Sequence, residues 1–85
     1  MSTWDLKGKR VLITGGSRGI GAATVQELTD LGAEVLFTAR KAIGDERQVI
    51  ADVSDPQGRS LILTTVQERW GALDVLVNNA GTNIR

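Results

Sequence analysis

The 85-residue chain carries ten Lys+Arg and ten Asp+Glu, so its formal net charge is zero, which argues against a nucleic-acid binder with its usual basic excess. It contains no Cys, no His and no Tyr, which removes disulfides, a thiolate nucleophile, a Ser-His-Asp triad and the common zinc sites from what these residues can build. No apolar run approaches the roughly 18 residues of a membrane span, and Met1 to Asp5 lacks a signal-peptide core, so a cytoplasmic protein is the default expectation.

Trp4 to Lys9 is a polar lead-in, with Trp4 read as a rim packing residue. Lys7-Gly8-Lys9 reads as a turn into the first strand. Arg10 to Thr14 reads as strand one. Its continuous apolar run, Val11-Leu12-Ile13, suits a parallel strand covered on both faces. Thr14-Gly15-Gly16-Ser17-Arg18-Gly19-Ile20-Gly21 follows, with four glycines in eight residues between a strand and a helix. A backbone that turns sharply and lets a ligand approach closely needs glycine, and the helix that follows aims its free N–H groups and positive dipole end at the gap. A dinucleotide pyrophosphate is the usual occupant of such a place, the bland alternative being a glycine-rich turn that holds nothing.

Gly19 to about Leu31 is expected to be helix one, with Ile20, Ala23, Leu28 and Leu31 near one face, Gly21 in the first turn letting the helix pack tightly on the sheet, and Gly32 as its stop. Glu34 to Thr38 reads as strand two and Gln48 to Ala51 as a short third strand, closed by Asp52 and Val53. The segment Ala39 to Arg47 between them is too short and too glycine-interrupted for a full crossover helix. A loop or single turn is expected there, leaving one face near strands two and three poorly covered. Ser54, Asp55 and Pro56 open helix two, with Ser54-x-x-Gln57 fitting a capping box. Ile62, Val66, Arg69 and Trp70 define its inner stripe, Leu63 flanks it and Gly71 ends it. Leu73 to Val77 reads as strand four, Asn78 to Gly81 as its exit turn, and Thr82 to Arg85 as a tail.

The order β-α-β-loop-β-α-β with right-handed crossovers gives an α/β fold: a partial Rossmann-type parallel sheet, strand order 3-2-1-4, forming one partial domain over residues 1–85. Strands one and four are then neighbours, and ligands of such sheets bind at the switch point between them.

The Thr14-Gly15-x-x-x-Gly19-x-Gly21 spacing resembles the glycine signature of the short-chain dehydrogenase/reductase family. Asn78-Asn79-Ala80-Gly81 resembles a second element of that family. Together with Trp4 to Lys9 and the tail after Gly81, these stretches are similar to its tropinone-reductase-like subgroup. The resemblance covers essentially the whole chain and implies an oxidoreductase that reduces a ketone, or oxidises a secondary alcohol, by hydride transfer with a nicotinamide cofactor. Gly15, Ser17, Arg18, Gly19, Ile20 and Gly21 are the expected pyrophosphate-binding stretch, Ser17 being either a hydroxyl donor or a plain turn residue. The position about 20 residues past the glycines, where an NAD site normally carries an acid, holds Arg40 followed by Lys41, while Glu34 lies at the other end of strand two. Arg40 can fork onto a 2′-phosphate, in surroundings expected to be free of carboxylates, and Arg18 can approach it, which favours NADP over NAD; the alternative is two solvated arginines. The resemblance implies that Asp52 accepts a hydrogen bond from the adenine amino group with Val53 flanking the ring, unless Asp52 merely caps the turn after its strand. It also implies that Asn78 ties the sheet together and that the backbone at Asn79, Ala80 and Gly81 passes the adenosine ribose.

The family's proton-transferring Tyr, with its Lys and Ser, belongs to the second half of its fold. No residue here matches them, so no catalytic residue is carried over. The expectation is the cofactor-binding half of an NADP-dependent enzyme, inactive alone and completed by a missing C-terminal half before it can take a carbonyl or alcohol substrate. A non-catalytic nucleotide-binding or interaction module is the rival. An unpaired edge on strand four implies self-association.

Overall fold

Residues 10–14 form the strand around which the rest is laid. In the computed structural model, which describes residues 6–15 and 19–79, β1 (Arg10–Thr14) pairs in parallel with β2 (Glu34–Ala39) on one side and β4 (Val75–Asn78) on the other. The short β3 (Gln48–Ile50) adds to the outer edge of β2, giving the order β3-β2-β1-β4 that the crossover rule predicts. Leu12 sits between Leu36 and Leu76 in register, and Ile13 between Phe37 and Val77. Trp4, Ser17, Arg18, Ala80, Gly81 and the tail from Thr82 lie outside the described residues.

Because side chains alternate along a strand, β1 and β2 feed two separate apolar layers. Val11, Ile13, Val35 and Phe37 pack against α1 (Gly19–Asp30) through Val25, with Leu28 at the margin. Leu12, Leu36 and Val49 pack against α2 (Pro56–Arg69) through Ile62 and Val66, with Trp70 at the margin. Each fully buried Leu, Ile or Phe contributes about 1.5–3 kcal/mol, so the double cover of β1 and β2 is the main source of stability. The continuous apolar run of β1 follows from this double cover.

Helix α1 turns a different face inward from the one its periodicity suggests. Gly21 and Val25 are buried, whereas Ile20 is 80% exposed and Ala23 is exposed. A stripe at 21, 25 and 28 brings the side chain with least bulk against the sheet, and the helix settles on it in preference to the larger Ile20. Helix α2 follows its expected stripe at Ile62, Val66 and Trp70, but Arg69 is exposed and Leu63 is 69% exposed. Its N-cap is Asp55, whose carboxylate accepts from the Gln57 N–H at 3.0 Å. Ser54 is therefore not the cap: its hydroxyl donates to Asp52 at 2.6 Å.

No helix forms between β2 and β3. Residues 40–47 make turns, and Arg47 forks onto Asp45 at 2.6 and 2.9 Å while donating to Thr29 of α1 at 3.1 Å. Ile43 and Ile50 are both 52% exposed, in keeping with a face left thinly covered beside β3.

Strand β4 starts at Val75, two residues later than its apolar run. Asp74 is spent on a corner instead, taking the Arg10 N–H at 2.8 Å and the Arg10 guanidinium at 3.1 Å. Nearby, the Trp70 indole donates to Glu34 at 3.1 Å, fastening the foot of α2 to the start of β2. Among the described residues β4 pairs only with β1, and Val75 and Leu76 are 42% and 57% exposed.

Candidate functional site

The C-terminal ends of β1, β2 and β4 are joined by side chains that reach across the sheet. Gly15 leaves β1 at φ 75°, a left-handed conformation that costs a residue with a Cβ and suits glycine. Its N–H donates to the Thr38 hydroxyl at 3.0 Å, and its carbonyl accepts from the Asn79 side-chain amide at 3.0 Å. Thr38 is 2% exposed, so that hydroxyl is fixed within the sheet. On the other side, the Thr14 hydroxyl donates to Asn78 at 3.0 Å and accepts from the Asn79 N–H at 2.9 Å. The first glycine of the loop is thus held from both neighbouring strands, at the point where β1 and β4 part. Asn78 performs the sheet-tying expected of it. Asn79 has its side chain on Gly15, in addition to any contact its backbone makes with a ligand.

Beyond the loop, α1 begins at Gly19, φ 62°, with Ile20, Gly21 and Ala22 and no acidic side chain in its first turn. An anion brought to this helix end meets the positive dipole end without a competing carboxylate. Gly21 is buried on the sheet, and Ile20 stands out as an apolar side chain beside the loop.

The second group of expected residues lies at the ends of β2 and β3. Arg40 is exposed and follows directly on β2. Asp52, two residues past β3, accepts from the Ser54 N–H at 2.9 Å and from its hydroxyl. Those bonds, side chain first, hold the Asp52 carboxyl below its ordinary range, and the Arg40 charge adds to the effect in the same direction. Asp52 is therefore a turn cap, with one carboxylate oxygen so engaged, and also the electrostatic neighbour of Arg40. Val53 is half-buried against the α2 layer, and its carbonyl takes the Arg59 guanidinium at 2.9 Å. Glu34 is confirmed at the far end of β2, bonded to Trp70.

The structure therefore brings Gly15 together with Asn79 and sets Gly19 to Gly21 at the head of α1, while Asp52 feels the Arg40 charge, so the surroundings of Arg40 are not free of carboxylate. Ser17, Arg18, Ala80 and Gly81 lie outside the described residues. Sequence reasoning passed over Thr38 and Gly58. Thr38 is the one polar side chain in the buried stretch of β2, a signal that its hydroxyl has work at the strand end. Gly58 stands inside α2, where glycine is unfavourable, and such a position points to close backbone contact. A Cβ there would crowd the Asp52 backbone, with the carbonyl carbon at 2.9 Å and the nitrogen at 3.0 Å. Among the described residues no cluster of His, Cys, Asp or Glu is arranged to hold a metal, and no helix is long and apolar enough to cross a membrane.

Residues 9–85 match the short chain dehydrogenase family model. A chloroplastic tropinone reductase homolog from Arabidopsis thaliana is 43% identical over 96 residues, covering 96% of this chain and 30% of the relative. That span is longer than the present chain, so the relative carries residues without a counterpart here. A 3-oxoacyl-[acyl-carrier-protein] reductase from Vibrio cholerae is 37% identical, covering 91% of this chain and 36% of the relative. Among solved structures, the ligand-free aldohexose dehydrogenase of Thermoplasma acidophilum superposes with a TM-score of 0.81 at 32% identity, over 92% of this chain and 31% of that one. The chain spans about a third of the length of these relatives.

Proposed function

Because this chain belongs to the short-chain dehydrogenase family of oxidoreductases, which use a nicotinamide nucleotide, we propose that it is a single, partial NADP-binding domain of an enzyme that interconverts a ketone and a secondary alcohol. The observation that carries the NADP assignment is at the end of β2. Arg40 follows directly on that strand and is exposed there, while the acid of the strand, Glu34, is at the opposite end and bonded to Trp70. A guanidinium suits a 2′-phosphate dianion, whereas a ribose 2′-hydroxyl calls for a carboxylate.

The residues present fit such a cofactor. Gly15 is clamped in a left-handed bend, the first turn of α1 is free of acids, and Ile20 offers apolar surface next to both. In this reading Gly15 to Gly21, including Ser17 and Arg18, hold the pyrophosphate, and Arg40 with Arg18 takes the 2′-phosphate. Asp52 and Val53 take the adenine, and Asn79, Ala80 and Gly81 pass the ribose. The cofactor supplies hydride. In the family a Tyr gives or takes the substrate proton, and these 85 residues contain none, so in this reading that group comes from outside them. We place the protein in the cytoplasm, which cell fractionation tests, one relative being described as chloroplastic.

Titration with NADPH and NADH is the test. The expected result is preference for NADPH that is largely lost in Arg40→Ala; an unchanged ratio of dissociation constants removes the NADP assignment. The second reading, a nucleotide-binding module without catalysis, is favoured by the same lack of Tyr. Turnover of a ketone by these 85 residues alone excludes it and also contradicts an outside proton donor.

A further inference from the structure

We propose that Gln48 is a positioning residue for cofactor choice: its one side chain fixes the backbone on both sides of Arg40. The Gln48 amide nitrogen reaches the Lys41 carbonyl at 2.6 Å and the Ala39 carbonyl at 3.5 Å, the two carbonyls that flank Arg40. Its amide oxygen accepts the Ile43 N–H at 3.0 Å. Gln48 itself is anchored in β3 opposite Phe37, one of the most deeply buried side chains, and its own N–H donates to the Asp45 carbonyl at 3.0 Å. The brace therefore runs from a strand in the sheet to an exposed, irregular segment.

On the β2 side of Arg40 the Ala39 carbonyl also takes the Ala51 N–H at 3.1 Å, whereas on the far side, at Lys41 to Ile43, the segment is held by Gln48. It contains no helix, and the Asp45–Arg47 fork ties down only its far end, through Thr29. Arg40 is exposed and extends from a backbone whose direction Gln48 sets. A long, flexible side chain selects between two ligands only if its base is fixed, because ordering it on binding otherwise consumes the interaction. Gln48 touches neither ligand in this scheme. It acts by holding the Arg40 backbone in the one orientation from which the guanidinium meets the 2′-phosphate.

This inference rests on the NADP reading, and the test separates the two. Dissociation constants for NADPH and NADH are measured for the chain and for Gln48→Met, which keeps length and bulk but deletes all three amide bonds. Gln48→Glu keeps the acceptor for Ile43 and deletes the donor to Lys41. Arg40→Ala is run alongside. A chain without NADPH preference sinks the NADP reading itself. If preference is present and depends on Arg40, Gln48→Met is expected to lower the NADPH/NADH ratio roughly five- to tenfold, NADH affinity staying within about twofold. Equal weakening of both cofactors, or an unchanged ratio, overturns the positioning role. Amide exchange at Ile43 gives a readout independent of cofactor: it is expected to accelerate in Gln48→Met and stay slow in Gln48→Glu. Slow exchange in Gln48→Met overturns the brace. Gln48→Glu keeps the Ile43 bond and gives a second variant in which the ratio is read, and retention of full preference there also overturns the role.

Discussion

Gly58 and Asp52 meet backbone to backbone. The first turn of α2 rests on the chain leaving β3 so closely that a Cβ on Gly58 has no room beside the Asp52 carbonyl group. In an exposed helix interior, Gly→Ala stabilises by about 1 kcal/mol. Here that gain is outweighed, because the atoms in the way are main chain and overpacking of this kind costs about 1–3 kcal/mol. Gly58→Ala is expected to lower the urea midpoint with an unchanged slope, and to weaken NADPH binding by shifting Asp52. A raised midpoint contradicts the close contact.

Thr38 gives a second prediction. Thr38→Val keeps the shape of a nearly inaccessible side chain but takes away the partner of the Gly15 N–H. Leaving that donor unsatisfied costs about 1–3 kcal/mol. The loss is expected in denaturant unfolding, together with faster amide exchange at Gly15. Thr38→Ser keeps the hydroxyl and is expected to keep the Gly15 amide protected, which separates the hydrogen bond from the packing.

Acid sensitivity follows from Asp45. Hydrogen bonds from the Arg47 side chain, then from its backbone N–H, bring the Asp45 carboxyl down to about 2 from its ordinary 3.8. A carboxyl lowered in the folded state adds stability that is fully present above about pH 4 and is lost as pH falls from there toward 2. The two side chains are 33% and 23% exposed, so water screens the pair and its worth is about 1 kcal/mol. Asp45→Asn is expected to be less stable than the parent at pH 6 and to lose that difference by pH 2. A constant difference across the range means that the fork carries no protonation-linked stability.

Among the described residues strand β4 has one unpaired edge, with Val75 and Leu76 partly exposed on the strand and Leu73 just before it. An open edge of this kind recruits further strands, and a charged side chain on it discourages them. The 85-residue polypeptide is expected to self-associate in sedimentation velocity, and Leu76→Lys to shift it toward monomer. A monodisperse parent at high concentration removes the expectation.

How far the sequence led can be judged residue by residue. Val11-Leu12-Ile13 identified a strand covered on both faces, because only two-sided burial tolerates an unbroken apolar run. The strand order followed from handedness alone, and the glycine spacing placed the bend at Gly15 correctly. What periodicity did not reveal was the orientation of α1. Ile20 reads as core by hydropathy, yet the glycine beside it decides which side can approach the sheet. The choice between Ser54 and Asp55 as cap was equally closed to spacing, since both have capping oxygens and only the path of the chain assigns them. The cross-sheet clamp of Thr38, Gly15 and Asn79 joins residues far apart in sequence, and no local pattern announces such a bond.

The bond from the Trp70 indole to Glu34 has an optical use. The sequence holds two tryptophans, so Trp4→Phe leaves Trp70 as the sole strong emitter. Its ring is half-shielded at the foot of α2, at the end of the sheet remote from the glycine bend, so its fluorescence reports detachment of that helix. One cuvette can then follow two events, an intrinsic emission red shift for loss of the α2 layer and, in the proposed reading, the fluorescence of added NADPH for occupancy at the opposite pole.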